Sequence, residues 1–349
     1  MARKWSVQKK MDLPETDKSQ VSLIIPFRNE SENAEELLRQ LAKMEANVGE
    51  ILLVNDHSED DSRIIFERGA GDSNHIKILD SPGIGKKAAV EFAVKQAKGS
   101  IILVSDADCT FSETWVKKLL AQFSDPTVQL VAGPVLSQME RDGFLDRFQQ
   151  IEWASILLLT HYFFHIQKPL MCSAANLAYR KATFIAVGGF SGNANIASGD
   201  DEFLLKKIMK KYGPASCRYL RNQETLVWTR PQEDFFALLN QRMRWAGKWK
   251  KHSSFSHLMT SVVFAAFQMV WISSFCLPFF GGFFTLIFLG IWGVKIGMES
   301  RVLGKVLRSF GISIPIEYYI KTGFFHPLYV LLTVSGIFFG KFVWKGRSD

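Results

Sequence analysis

The sequence predicts an α/β fold in which a mainly parallel sheet carries helices on both faces, followed by C-terminal transmembrane helices. Strand-like and helix-like segments alternate from Val21 to Gly133, and the strands are continuous apolar runs. Such strands are typical of parallel sheets that are covered on both faces. Leu258–Val294 and Thr322–Gly340 contain no Asp, Glu, Lys or Arg. Because a bilayer core of about 30 Å needs about 20 apolar residues per helix, the first stretch accommodates two spans and the second accommodates one.

The elements follow one another in a regular order. The predicted strands are short runs rich in β-branched residues, namely Val21–Pro26, Glu50–Asp56, His75–Leu79, Ser100–Asp108 and Val128–Gly133. The helices predicted between them are Ser31–Glu45, Asp60–Arg68, Gly85–Lys98 and Glu113–Phe123. Beyond Gly143 the alternation loosens into the aromatic-rich Phe144–His165, a helix at Asp200–Lys211 with Asp200 as its N-cap, and a longer amphipathic helix at Gln232–Lys251.

Composition and charge narrow the class of protein. The 349 residues include 42 Lys and Arg against 34 Asp and Glu, a net charge of +8, and 47% are hydrophobic, which excludes disordered, collagen-like and coiled-coil chains. A basic balance favours nucleic acid, anionic lipid or a phosphorylated substrate as partner. Many of the basic residues lie beside the apolar stretches, which favours the membrane as partner and argues against nucleic acid. These basic residues are Arg242, Arg244, Lys248, Lys250, Lys251, Arg301, Lys305 and Arg308.

The cysteines and the N-terminus indicate the compartment. The four cysteines are scattered without metal or disulfide spacing, which points to a reducing environment. Residues 1–20 form a polar lead-in without the apolar core of a signal peptide, so we expect the body of the protein not to be exported.

Acidic residues follow the carboxyl ends of the predicted strands, which is where ligands bind in open parallel sheets. Asp106 and Asp108 come just after a buried strand and can offer oxygen ligands to a divalent ion that holds a diphosphate. A solvated turn is the alternative for such a pair. Asp56 can accept hydrogen bonds from a nucleotide base or ribose, or it can form an Asx turn.

Three further segments carry possible chemistry. Gly83–Lys87 can cradle phosphate, although it lacks the P-loop spacing. The acids of Gly199–Glu202 either stabilise a helix start or provide a general base that deprotonates an acceptor hydroxyl. Gln241, Arg244 and Trp245 share one helical face, where Arg can clamp a diphosphate and Trp can stack on a sugar. A juxtamembrane belt of basic and aromatic residues is the alternative for that face.

Taken in order, these segments resemble the motifs of glycosyltransferase family 2, the inverting GT-A enzymes. The resemblance is greatest to the membrane-attached members with D, D, D, QxxRW motifs, such as cellulose, chitin and hyaluronan synthases and ceramide glucosyltransferase. The matching segments are PFRNE (Pro26–Glu30), VNDHSED (Val54–Asp60), GKKAA (Gly85–Ala89), SDADC (Ser105–Cys109), the acceptor-side segment Cys172–Phe190, GDDEFLL (Gly199–Leu205) and QRMRW (Gln241–Trp245).

The resemblance implies a Rossmann-like GT-A domain over residues 21–251 and a role for each matching residue. It implies that Asp106 and Asp108 bind Mg²⁺ or Mn²⁺ and that Asp201 is the catalytic base, with Asp200 in place of the family's usual Glu. The residues implied to bind the nucleotide or the donor are Pro26, Arg28, Glu30, Asp56, Lys86, Lys87, Asp106, Gln241, Arg244 and Trp245.

Residues 252–349 are predicted to form the membrane region, with spans at about 258–277, 279–298 and 322–340. Pro278, Gly281 and Gly282 suit a tight hairpin between the first two spans. The basic clusters on both sides of the hairpin then lie on the cytoplasmic face, by the positive-inside rule. Pro327 and Gly323 weaken the third span, which can instead be re-entrant. We therefore expect a multi-pass protein of the cell membrane with a cytoplasmic catalytic domain.

Two or three spans are too few to build a translocation channel within one chain. The sequence therefore favours a single transfer from a nucleotide-diphosphate sugar, UDP-linked, to a lipid or lipid-linked acceptor. The alternatives are the catalytic subunit of a processive polysaccharide synthase, with partner membrane subunits supplying the channel, and a catalytically silent membrane scaffold. A nucleotidyltransferase shares a similar sheet and metal site but does not need the QxxRW helix.

Overall fold

The computed structural model describes residues 5, 17–71, 73–193, 199–247, 263, 266–339, 343–344 and 347–348. Most of the predicted lead-in, the basic residues Lys248, Lys250 and Lys251 and the first part of the first predicted span lie outside the described residues.

The strands form one large sheet and two small ones. They are β1 (Val21–Phe27), β2 (Glu50–Asn55), β3 (Ile76–Asp80), β4 (Ile101–Val104), β5 (Cys109–Phe111), β6 (Leu130–Ala132), β7 (Val135–Ser137), β8 (Leu177–Arg180), β9 (Cys217–Tyr219), β10 (Val227–Thr229), β11 (Val343–Trp344) and β12 (Arg347–Ser348). The large sheet has the order β3-β2-β1-β4-β8-β6-β9, and a second sheet has the order β5-β10-β7. β11 and β12 form an antiparallel pair.

The helices cover the large sheet and continue beyond it. They are α1 (Ser31–Met44), α2 (Ser62–Ala70), α3 (Lys86–Gln96), α4 (Trp115–Leu120), α5 (Phe144–His165), α6 (Lys181–Ala186), α7 (Asp200–Tyr212), α8 (Phe235–Gly247), α9 (Gly282–Arg308) and α10 (Ile316–Phe339). A further apolar helix at Ala266–Phe280 precedes α9.

The predicted α/β fold is confirmed, with two differences in the sheets. β1 to β4 are mutually parallel as predicted, but β8 enters the large sheet antiparallel to both β4 and β6. The small sheet of β5, β7 and β10 was not predicted, because its three-residue strands are too short to show a periodic pattern. The strand predicted at Ser100–Asp108 ends at Val104, so both acids of the Asp-Ala-Asp segment lie outside the main sheet.

A buried polar side chain joins the two sheets. Asn176, fully buried, donates from Nδ2 to the carbonyl oxygens of Pro134 (2.8 Å) and Thr225 (2.7 Å), and its Oδ1 accepts from Trp115 Nε1 (2.9 Å). Both N–H donors and the oxygen of the amide are hydrogen-bonded, which is the condition for placing a polar group in a core without a large penalty. This connection fixes the start of β8 beside β6 and β10.

The C-terminal helices pack against the α/β body as well as against each other. α10 contacts α5 and α8 through a cluster that includes Phe148, Leu238, Tyr329 and Val330. Val306 and Leu307 at the end of α9 join the main core. The C-terminal part of the chain is therefore packed onto the α/β body through both α9 and α10.

One residue of the predicted polar lead-in is part of the core. Trp5 is only 2% exposed, packs edge-on against His161 and Phe310, and donates from Nε1 to Ser309 Oγ at 3.0 Å. The polar composition of the lead-in gave no indication that Trp5 packs into the core.

The apolar helix at Ala266–Phe280 and α9 form a hairpin. It turns at Gly281, whose φ of +107° suits glycine, and Trp292 Nε1 donates to Ser274 Oγ at 2.9 Å across it. Within the described residues, α9 alone is long and apolar enough to cross a membrane by length and composition. Its large apolar side chains are mostly exposed, among them Phe283 and Leu286.

Candidate functional site

The carboxyl ends of β1, β2 and β4 lie at one edge of the large sheet. Ile24 is in register with Val104, and Phe27 is in register with Asn55, so the loops that follow these strands emerge side by side. Pro26 is buried in β1, two residues beyond the last residue that pairs with β4. A proline without an N–H group is tolerated there because the ladder on that side has ended.

The loop after β1 is bonded to the loop after β2. Arg28 donates to the carbonyl oxygen of Asp56 at 3.1 Å and forms an ion pair with Glu59 at 2.7 Å. Glu30 donates through its backbone N–H to Ser62 Oγ at 2.6 Å. Arg28 and Glu30, both nearly buried, therefore hold this edge of the sheet together.

Asp56 connects the second loop to the start of α3. Its carboxylate is 2% exposed, and Oδ1 accepts a hydrogen bond from the backbone N–H of Gly85 at 2.8 Å. Gly85 has a φ of +96°, which suits glycine, and it caps α3. Asp56 thus positions the Gly83–Lys87 segment, and its contact with a nucleotide stays a prediction.

Lys86 lies between two acidic segments that are far apart in the sequence. Its ammonium forms an ion pair with Asp106 and lies 3.6 Å from Asp200 Oδ2. Burial opposes the charge of Lys86, but Asp106, Asp200 and Asp201 outweigh this and raise the pKa of the ammonium above its usual value. Three predicted site segments, at the start of α3, after β4 and at the start of α7, therefore converge on one cation.

Lys87, the neighbouring lysine, points elsewhere. It is nearly buried, donates to the carbonyl oxygen of Asn193 at 2.8 Å, and lies 5.6 Å from the centre of the Phe203 ring. These contacts hold α3 against α7. The structure therefore separates two lysines that the sequence analysis treated as equivalent.

The Asp-Ala-Asp segment supplies a group of potential ligands. One ligand atom each from Asp106, Asp108 and Cys109 lie within 4.8 Å of one another. Burial and the charges of Asp108 and Asp106 raise the pKa of the Cys109 thiol, so it stays protonated and is a poor ligand. The two carboxylates, by contrast, are only partly buried and are hard oxygen donors, so this set fits Mg²⁺ or Mn²⁺.

The acids of Asp200–Glu202 occupy the first turn of α7. Asp200 is the first helical residue rather than the N-cap; Gly199, with a φ of +83°, takes the cap position. Asp201 Oδ2 accepts from the backbone N–H of Ala174 at 3.2 Å, and Oδ1 accepts from that of Glu202 at 2.7 Å. Asp201 is thereby fixed against the segment that resembles the family's acceptor side.

The Gln241–Trp245 segment lies on α8, as predicted. Trp245 packs edge-on against Trp153 of α5 with 5.6 Å between ring centres, and the guanidinium of Arg242 lies 4.2 Å from the centre of the Trp245 ring. Arg242 also donates to Gln241. These contacts hold Gln241 and Trp245 on the α5 side of α8 rather than bonding them to the acids around Lys86.

Sequence reasoning missed the residue that anchors this helix. Arg242 is nearly buried and pairs with Glu152 of α5, Nε to Oε1 at 3.0 Å and Nη2 to Oε2 at 2.6 Å. In the sequence Arg242 counted only as one of the basic residues beside the membrane. Nothing in the sequence singles out Glu152, which is one of two acids, with Asp146, in a largely aromatic and apolar helix.

Comparisons with known proteins find a family model, curated relatives and a solved structure that are similar to this chain. Residues 22–188 match the model of the family described as glycosyl transferase family 2. Over 107 residues the chain is 33% identical to an undecaprenyl-phosphate 4-deoxy-4-formamido-L-arabinose transferase of Pseudomonas fluorescens, a match that covers 29% of this chain and 31% of that protein. Over 250 residues it is 22% identical to a poly-beta-1,6-N-acetyl-D-glucosamine synthase of Staphylococcus aureus, covering 70% of this chain and 58% of the synthase. The chain thus spans less than two thirds of the length of either curated relative.

A solved structure is similar over nearly the whole chain. It is a mannosyltransferase from Pyrobaculum calidifontis in complex with GDP-Man and Mn²⁺. The TM-score is 0.52 at 16% identity, and the match covers 97% of this chain and 92% of the mannosyltransferase. Residues 22–188 therefore resemble glycosyl transferase family 2, and the chain has the GT-A fold.

Proposed function

We propose that the protein is an inverting, membrane-attached glycosyltransferase that moves a sugar from a UDP-linked donor to a lipid or lipid-linked acceptor at the cytoplasmic face of the cell membrane. The observation that carries this proposal is the convergence of Lys86, Asp106 and Asp200 at the carboxyl edge of the sheet. A cation and several carboxylates at one edge suit a ligand that brings both a diphosphate and a divalent ion.

The residues divide into a donor side and an acceptor side. Asp106 and Asp108 would hold Mg²⁺ or Mn²⁺, which when bound neutralises charge on the leaving diphosphate. Lys86 adds a positive charge beside the same group, and Arg244 with Trp245 closes over the leaving group and the sugar. Asp201 accepts the proton of the acceptor hydroxyl. The hydroxyl oxygen attacks the anomeric carbon as the diphosphate leaves, and the configuration at that carbon is inverted.

The position of Asp201 supports its role as base. Its carboxylate is fixed by the N–H groups of Ala174 and Glu202, so one rotamer is held at the boundary between the donor and acceptor segments.

The membrane part of the proposal rests on the C-terminal helices. α9 is long and apolar enough to span a bilayer, and Phe279, Phe283 and Leu286 are well exposed along the hairpin. An exposed apolar surface of this kind is typical of membrane contact. The relative named for undecaprenyl phosphate supports a lipid acceptor for this chain.

A processive polysaccharide synthase remains the second candidate. The relative from Staphylococcus aureus favours it, since that protein is named as a polymer synthase. In that case partner membrane subunits would supply the channel, and the same donor site would act repeatedly on one growing chain.

The test is a screen of nucleotide sugars with the purified protein in lipid nanodiscs and Mn²⁺. Free nucleotide and glycosylated lipid are measured together, and product length separates one transfer from many. We expect UDP release with a single sugar added to lipid. No nucleotide release from any donor would indicate a silent scaffold, and release of diphosphate would indicate a nucleotidyltransferase.

A substitution at the proposed base separates binding from chemistry. Asp201→Asn should abolish turnover and leave donor binding nearly unchanged, because Asn keeps one of the two acceptor oxygens but takes up no proton. Asp142→Asn is the matched control, since Asp142 is an exposed acid in the turn before α5 that pairs with Arg147 at 3.3 Å. Loss of both turnover and donor binding in Asp201→Asn would place this residue on the donor instead.

A further inference from the structure

A buried ion pair with a third partner connects helices α5, α8 and α10. Glu152 of α5 pairs through both oxygens with Arg242 of α8, at 3.0 and 2.6 Å. Tyr329 of α10 donates its hydroxyl to Glu152 Oε1 at 2.8 Å and is itself only 3% exposed. Glu152 therefore joins a helix of the predicted membrane region to the helix that carries the QxxRW motif.

The same guanidinium is in contact with Trp245, a residue predicted to bind the donor. Arg242 lies 4.2 Å from the centre of the Trp245 ring and 5.7 Å from that of Trp153. The two indole rings also pack edge-on against each other. Because a guanidinium held by two carboxylate oxygens has a fixed plane, the orientation of Arg242 constrains that of Trp245.

α8 and α10 also pack closely where a side chain of α8 meets a glycine of α10. A methyl group built at Gly336 of α10 would overlap the sulfur of Met243 of α8. Met243 lies between Arg242 and Arg244 in the sequence, and Arg244 precedes Trp245. The ring of Tyr329 packs against Phe148 and Phe325, 5.1 and 6.3 Å between ring centres. A shift of α10 along α8 would therefore displace the hydroxyl of Tyr329.

We propose that Tyr329, Glu152 and Arg242 form a positioning relay that transmits the placement of α10 to the ring of Trp245. None of the three has to touch substrate. Since residues 322–340 are a predicted membrane segment, the relay would make the geometry of the donor site depend on how α10 is seated in the bilayer. This consequence for catalysis rests on the proposed function, whereas the relay itself is a property of the folded chain.

The direct test is ¹⁹F NMR of protein labelled with 5-fluorotryptophan in lipid nanodiscs. The Trp245 resonance is assigned by its loss in Trp245→Phe. Tyr329→Phe removes one hydroxyl and keeps the packed ring, so it should fold and should displace or broaden the Trp245 resonance. Tyr318→Phe is the matched control on the same helix, since the Tyr318 ring lies beside Arg147 and Lys321, outside the relay.

A second variant tests the relay at Arg242, independently of Tyr329→Phe. Arg242→Lys keeps the charge but loses the two-point contact with Glu152, and it should change the Trp245 resonance more than Tyr329→Phe does. A Trp245 resonance unchanged in both Tyr329→Phe and Arg242→Lys overturns the relay. An equal change in Tyr318→Phe also overturns it, because the effect would then be a general response of α10.

Turnover gives the functional consequence. With the donor that releases most nucleotide in the screen above, Tyr329→Phe should lower kcat about tenfold while its thermal midpoint stays near that of Tyr318→Phe. If the wild-type protein releases no nucleotide from any donor, the proposed function fails, and the ¹⁹F spectra still decide the relay. A normal kcat together with a displaced Trp245 resonance would refute the link to catalysis.

Discussion

Replacing Lys86 tests whether the acidic segments converge as the structure describes. Lys86→Met removes the cation that now lies on Asp106 and 3.6 Å from Asp200. At that distance and an effective dielectric constant of about 20, one charge pair amounts to about 5 kcal/mol before desolvation. Because the side chains of Lys86 and Asp106 are 24% and 36% exposed, water screens much of this, and a net value of about 1–3 kcal/mol is expected.

The loss of that cation should favour a metal ion at the same carboxylates. A divalent ion that binds Asp106 must displace the ammonium and experience its repulsion, and Lys86→Met removes both costs. Each 1.4 kcal/mol corresponds to a factor of ten, so Mn²⁺ should bind roughly ten times more tightly in the variant when no nucleotide is present. With a donor present the variant should turn over poorly, because the positive charge beside the diphosphate is missing.

The assay is a titration of Mn²⁺ followed by the electron paramagnetic resonance signal of the free ion. Lys95→Met is the matched control, since Lys95 lies on the same helix, is 70% exposed and pairs with Glu91 at 3.4 Å. The control should bind Mn²⁺ like the wild-type protein. If Lys86→Met also binds Mn²⁺ with wild-type affinity, Lys86 does not occupy Asp106 in solution and the proposed site is wrong.

Two further predictions concern stability and membrane placement. Burial alone would raise the pKa of Asp60, but hydrogen bonds from Ser62 and Ser31 lower it to about 2 from an ordinary 3.8. The ionised carboxylate therefore stabilises the fold above pH 4, by at most about 2 kcal/mol before screening by solvent, and this contribution is lost as the pH falls towards 2. Asp60→Asn should lower the thermal midpoint at pH 7 and approach the wild-type value only near pH 2; a difference independent of pH would contradict the assignment. Cys276 is exposed on the apolar hairpin, so a membrane-impermeant maleimide should label it after denaturation in SDS but not in intact vesicles, whereas the buried Cys109 should resist labelling in any folded state. Labelling of Cys276 in sealed vesicles would place the hairpin outside the bilayer.

Much of the large sheet could be predicted because local pattern and tertiary role coincide there. The five predicted strands all occur, since each is an apolar run of a kind that is stable only inside a covered sheet. The direction of β8 could not be predicted in this way. Its four residues carry no sign of orientation, which is set by its place between β4 and β6 and by the hydrogen bonds of Asn176.

For the candidate site the division is similar. Acids after strands and at a helix start could be recognised from the sequence, because those positions are local and the residue types suit metal and proton chemistry. The sequence did not show that Lys86, rather than Lys87, meets Asp106 and Asp200, because the two lysines are adjacent and differ only in which side of α3 they occupy.

By itself the amino-acid sequence determined five strands of the large sheet with the helices between them, the motifs that resemble the family and the apolar C-terminal segments, all of which depend on patterns over short distances. Only the tertiary structure decided that Arg242 pairs with Glu152, 90 residues away, and that Tyr329 completes the pair from a third helix. The physical reason is that a buried charge needs its partner at hydrogen-bonding distance, and packing, not sequence spacing, brings that partner there.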